Sequence, residues 1–147
     1  MKLAACGALV AVALCALNIP SHGEKDFAAQ AERLAAKYII TDGHIDTPYR
    51  LHDNWADISK RTEKGQFDYE RARAGGLDAP FMSIYIPAKL QTEGGSKALA
   101  DELIDMVQGI ANDHPDKFAM AASPSEVEKN FEKGIVALTY LYDELAS

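Results

Sequence analysis

The chain has 147 residues, enough for one domain and not comfortably two. Apolar residues make up 48% and charged residues 25%, the balance of an ordinary globular protein. A net charge of −7 argues against nucleic acid and against an anionic membrane surface as partners.

The N-terminus reads as a targeting segment. Lys2 supplies a positive start, and Leu3 to Leu17 is an uncharged apolar run. That run is too short to span a bilayer comfortably and suits the apolar core of a signal peptide. Ser21-His22-Gly23 puts small residues at −3 and −1. The expected division is therefore a signal peptide over 1–23 and one domain over 24–147, exported to a periplasm or the medium. Membrane attachment is expected only if Cys15 is lipidated. Leu14 is too large for the residue that usually precedes such a cysteine. Both cysteines, Cys6 and Cys15, lie in this segment, so the exported part has no disulfide or thiolate chemistry.

Residues 24–37 read as a helix, with Phe27, Ala31, Leu34, Ala35 and Tyr38 at helical spacing. Tyr38-Ile39-Ile40 then opens an apolar strand over 39–46, which Pro48 is expected to end. Side chains alternate along a strand, so Asp42, His44 and Asp46 fall on one face. An imidazole and a carboxylate two residues apart can close on one metal ion, and both donors suit Zn²⁺. Polar groups at the C-terminal end of an apolar strand lie where parallel α/β folds place their sites. His44 and Asp46 are thus the candidate metal ligands.

Residues 49–65 show no period and read as a long loop holding Arg50, His52 and Trp55. Residues 67–76 read as a short helix with Asp68 as N-cap and Gly75 or Gly76 at its end. Arg71 and Arg73 are expected to answer its C-terminal dipole. Residues 79–87 form a nearly continuous apolar strand, as in a sheet covered on both faces. Residues 96–112 form the clearest helix, with Leu99, Leu103, Met106, Val107 and Ile110 as one core stripe. His114 is expected to serve its C-terminal dipole. A short strand is possible over 118–122. Ser123-Pro124-Ser125-Glu126 has the order of a capping box at a helix start. Residues 135–142 read as a further strand.

Two blocks carry a family resemblance. Asp42-Gly43-His44-Ile45-Asp46-Thr47-Pro48 is followed by Arg71-Ala72-Arg73-Ala74-Gly75-Gly76-Leu77-Asp78-Ala79-Pro80-Phe81-Met82-Ser83-Ile84-Tyr85-Ile86-Pro87. In order, gap and strand assignment they resemble the opening third of the membrane (renal) dipeptidase family of metal-dependent hydrolases. The resemblance runs from about Ala35 to Ala137. It implies a (β/α) TIM-type barrel, two zinc ions per complete site, hydrolysis of dipeptides by two-metal water activation, and His44 and Asp46 as ligands of one zinc. The family's bridging glutamate ends its third strand. Here Leu141-Tyr142-Asp143-Glu144-Leu145 departs from that pattern, and Glu144 is the nearest position. The family's later strands, with the remaining ligands and the catalytic aspartate, have no counterpart, so no catalytic residue is assigned. The expected fold is a partial barrel, its first strands and helices only.

Three functional readings follow: a zinc dipeptidase-family piece, a non-catalytic remnant, or an exported binding module. Without closing strands, a sheet edge stays open to other chains and a homo-oligomer is possible. Ile84, Ile86, Val136 and Leu138 are then expected to lack part of their cover.

Overall fold

A computed structural model describes residues 26–142, with side chains to residue 140. The cleavage site, Cys15 and Glu144 lie outside the described residues. Helix and strand alternate along the chain: α1 (Phe27–Lys37), β1 (Thr41–Ile45), α2 (Thr47–Asp53), α3 (Tyr69–Gly75), β2 (Ala79–Ile84), α4 (Leu90–Glu93), α5 (Ser96–Asp113), β3 (Phe118–Met120), α6 (Pro124–Glu132) and β4 (Val136–Tyr142).

The strands form one parallel sheet in the order β1-β2-β4-β3. β4 is shared lengthwise. Its first half, Val136–Leu138, pairs with Phe118–Met120. Its second half, from Thr139, pairs with Phe81–Ile84. β1, β2 and β4 therefore follow one another as the first strands of a (β/α) barrel do, and short β3 flanks them. The chain is α/β, a partial barrel.

One face of the sheet is well covered. Met82, Val136 and Leu138 join Phe118 in a core with Leu51 of α2, Ala72 of α3, and Val107, Ile110 and Ala111 of α5. Each of the larger of these side chains, the alanines aside, contributes about 1.5–3 kcal/mol by leaving water. The expectation of missing cover fails at three of its four positions: Val136 and Leu138 are 0% exposed and Ile84 3%, while Ile86 is half-buried. The helices that follow the strands in sequence already supply the cover. The opposite face is thinner. It holds only Ala79, Ala121 and Ala137 with Ile39 and Val127. Beside them Thr41, Phe81 and Thr139 line an open cavity of about 450 Å³.

Two buried carboxylates fix the loops. Asp68 caps α3 as expected, accepting from the backbone N–H of Arg71 at 2.9 Å, and takes the N–H of Thr62 at 3.0 Å and the Thr62 hydroxyl at 3.2 Å. It also accepts from Arg71 Nη1. Asp78 takes the N–H of Ile40 at 3.0 Å and Arg73 Nη1 at 3.2 Å, while its carbonyl accepts from Ala137 at 2.7 Å. One residue thus ties β1, β2 and β4 together at their starts. Arg71 and Arg73 both bind these carboxylates, Arg71 near the start of α3 at its N-cap and Arg73 from the helix's last turn. A buried carboxylate needs a partner more than an exposed helix end does.

Several boundaries differ from the sequence reading. The stretch 49–65 is not all loop: α2 occupies its first part, with Asp46 at the N-cap and Pro48 in the first turn. Pro48 thus starts a helix where it was expected to end a strand, since its missing N–H costs nothing in a first turn. Seven residues with Leu51 as the one buried large aliphatic side chain are too short to show a period. α4 is a single turn between Pro87 and the Gly94-Gly95 pair. Ser123 stands at the N-cap of α6 but its hydroxyl faces Ser125 Oγ at 3.2 Å. Glu126 Oε2 reaches one residue past the N-cap, accepting from the N–H of Ala122 at 2.7 Å. His114, at the C-cap of α5, has its Nε2 3.6 Å from Asp57 Oδ1.

Candidate functional site

The site is built where β1 runs into α2. β1 does not hold simple alternation. Thr41 and Asp42 pair with Ala79 and Pro80, but Ile45 pairs with Met82, so β1 carries one residue more than β2 between these points. That is a β-bulge around Gly43-His44, a device that re-aims side chains beside functional sites. Asp42 Oδ1 accepts the backbone N–H of His44 at 3.0 Å and so braces the bulge. Asp42 therefore does not stand in line with His44 and Asp46 as alternation predicts.

His44 and Asp46 do come together. His44 Nε2 lies 3.0 Å from Asp46 Oδ1, and both side chains are open to solvent, 45% and 71% exposed. Asp46 occupies the N-cap of α2 but makes no side-chain cap bond. A capping aspartate ordinarily spends its carboxylate on the first turn of its helix. Here the carboxylate turns to the imidazole, which leaves a nitrogen and an oxygen donor converging on one point.

A cleft of about 400 Å³ opens beside this pair. Its wall includes Asp42, Ile45, Asp46, Arg50, Gly65 and Phe67. Arg50 lies one helical turn after Asp46 and donates its backbone N–H to the Asp46 carbonyl at 3.2 Å. The sequence reading left Arg50 among surface-loop residues. The signal that places it was present: an Asp-x-Pro helix start puts the residue four positions after Asp46 on the same side. His52 is elsewhere, its Nδ1 3.0 Å from Glu102 Oε1 of α5, and Trp55 is 61% exposed.

The family model of the membrane dipeptidases, peptidase family M19, matches residues 28–141. The chain belongs to the membrane dipeptidase family. Among relatives of this M19 chain, a protein named dipeptidase ataJ of Aspergillus terreus is 27% identical over 126 residues, covering 78% of this chain and 31% of that protein. Dipeptidase aclJ of Aspergillus oryzae is 32% identical over 112 residues, covering 68% and 26%. The crystal structure of dipeptidase AC, a metallopeptidase of the same family, shares the fold with a TM-score of 0.61 at 21% identity, covering 71% of this chain and 34% of that one. The chain spans about a third of the length of these relatives.

M19 is a metallopeptidase family, so the donors must be weighed against a metal. In kind they fit: an imidazole and an unspent carboxylate at bonding distance from each other suit a divalent cation. In number they fall short. Among the described residues no group of three or more His, Cys, Asp or Glu is gathered to hold an ion. A catalytic zinc site takes three protein ligands and keeps one position open.

Proposed function

We propose that this chain carries the first metal-binding strand of a zinc-dependent dipeptidase, with His44 and Asp46 holding one ion of a two-zinc site. The observation that carries the reading is the Asp46 carboxylate, turned from its own helix to lie 3.0 Å from His44 Nε2. When bound, paired zinc ions supply a Lewis acid for the peptide carbonyl and an acidified water for attack. The chain's own part is positional. The bulge braced by Asp42 aims His44, and the start of α2 holds Asp46 against it. The substrate is a dipeptide. The chain is a fragment of the enzyme's length, exported by the signal sequence that ends near Gly23.

Two ligands leave most of a zinc ion's coordination to water. The isolated chain is therefore expected to take up zinc weakly and not to turn over dipeptides. The test is calorimetric zinc titration of the purified chain, with hydrolysis of a simple dipeptide in excess Zn²⁺ followed beside a His44→Ala control. Weak uptake that vanishes in the control supports the assignment, and equal uptake in both chains overturns it. Turnover that disappears in the control would instead mean that copies of the chain assemble a complete site.

A further inference from the structure

Three histidines lie among the described residues, and each faces a carboxylate. His44 belongs to the metal site. The other two bridge a different boundary, and both bridge the same one. His52 of α2 has its Nδ1 3.0 Å from Glu102 Oε1 of α5. His114, at the C-cap of α5, has its Nε2 3.6 Å from Asp57 Oδ1 in the loop that follows α2. Glu102 and His114 are twelve residues apart, so the two bridges stand roughly 18 Å apart along α5.

The segment they fasten walls the cleft. α2 starts at the Asp46 N-cap and carries Arg50, and the loop after it brings Gly65 and Phe67 to the same cleft. This wall is not tightly satisfied within itself. Arg50 Nη2 is buried with no hydrogen-bond partner among the described residues. A buried donor without an acceptor costs stability, more so when it is charged. The loop contains no helix or strand between α2 and α3 and is held to the domain by a few side chains.

The charges at the two bridges differ in what can change. Asp57 is a fixed anion. The Lys60 ammonium at 2.8 Å and the Ser59 hydroxyl and N–H at 2.6 and 3.0 Å hold its carboxyl well below the usual carboxylate range. Lys117, three residues after His114, donates Nζ to the Ser59 carbonyl at 2.9 Å and lies over the Tyr69 ring. Beside His52 stand Glu102 and the Tyr49 ring, with Tyr85 edge-on to Tyr49. The charged chain neighbours are Asp53 of His52, and Asp113 and Asp116 of His114. In this company histidine is the side chain that changes charge between pH 5 and 8. A neutral imidazole 3.6 Å from Asp57 makes no hydrogen bond, whereas an imidazolium there is an ion pair.

We propose that His52 and His114 form a pH-sensitive double latch, which fastens α2 and the loop after it to α5 when both are protonated and loosens the wall of the cleft as pH rises through neutrality. The sign follows from the charges. Cation and carboxylate attract, and the attraction is lost when the cation gives up its proton. Neither pair adds much to overall stability. Local opening of a loop costs less than unfolding the domain, so a small change in its hold alters how often it opens.

The test is hydrogen–deuterium exchange of the full chain in steps from pH 5 to pH 8, with rates corrected for the intrinsic effect of pH on exchange. The chains are the parent, His52→Gln, His114→Gln, the double variant and Glu102→Gln. The loop is read at the hydrogen-bonded amides of Lys60, Arg61 and Thr62. The Val136 amide, bonded to the Lys117 carbonyl in the core, reports global unfolding. In the parent the loop amides should be less protected than Val136 at every pH, and should lose protection several-fold from pH 5 to pH 8. Each single variant should keep part of that change and the double variant none, and Glu102→Gln should match His52→Gln. Loop protection that does not change with pH in the parent would overturn the proposal, as would a double variant that keeps the parent's pH dependence. Loop amides as well protected as Val136 would also overturn it, because the loop would then open only when the whole domain unfolds.

Discussion

Asp68 shows how much one side chain can organise. It is 0% exposed and yet ionised among the Thr62 and Arg71 donors. Burial pushes its carboxyl upward. The Thr62 and Arg71 backbone N–H groups, the Thr62 hydroxyl and the Arg71 guanidinium outweigh burial and hold it below its ordinary 3.8. A depressed folded value means stability that is present above pH 3.8 and lost as pH falls through the folded value. Asp68→Asn is therefore expected to cost about 3 kcal/mol at pH 7, the order seen when one partner of a buried pair is removed. Urea unfolding should show the gap between variant and parent closing between pH 4 and the acid limb, about as far as the carboxylate protonates. A gap that is unchanged at pH 3 would mean that packing, not charge, holds the loop.

Among the elements, α5 is the longest helix and packs on β3, on α2 and on β2. Leu103, Val107, Ile110 and Ala111 are all buried, Leu103 completely. Leu103→Ala should cost about 2–5 kcal/mol by transfer and cavity terms together. The check is a urea midpoint that falls with no change in slope. The contact of His52 Nδ1 with Glu102 Oε1 joins α2 and α5 at the surface, and exposed pairs of that kind contribute little. α1 stands at the other extreme. None of its residues is buried, and Phe27 and Leu34 are 67% and 47% exposed. It comes close to the domain at Gly76, which lies in the left-handed region and where a Cβ would stand 2.7 Å from Ala35 Cβ.

For the whole molecule, the sheet is covered on one face and thin on the other, with β1 at one edge. The site strand is thus the least protected strand. Its bulge and its aspartates blunt it as an edge. The export reading belongs at this scale, because it decides which polypeptide meets a metal and a substrate. N-terminal sequencing of the product recovered outside the cytoplasm should begin near Glu24. A product that retains Met1 in the cytosol would refute it, and a lipid on Cys15 would replace it with membrane attachment.

The sequence by itself determined the longer elements in their order, though not α2 or α4, together with the α5 stripe, the Asp68 cap, a helix end at Gly75 or Gly76, and the family through the blocks around His44 and Pro80. These rest on local signals: periodicity, cap chemistry and motif spacing. It also paired His44 with Asp46, although the structure brings them together across the junction of β1 and α2 rather than along one strand. Only the tertiary structure decided the rest. The β1 bulge that removes Asp42 from the line of donors exists because β1 must match β2. Arg71 and Arg73 serve buried carboxylates because those carboxylates are buried by distant helices. Arg50 becomes a cleft residue when Gly65, fifteen positions later, is folded onto it by the Asp68 network. Burial and long-range register are properties of the assembled chain, and no local pattern encodes which polar group is left without a partner.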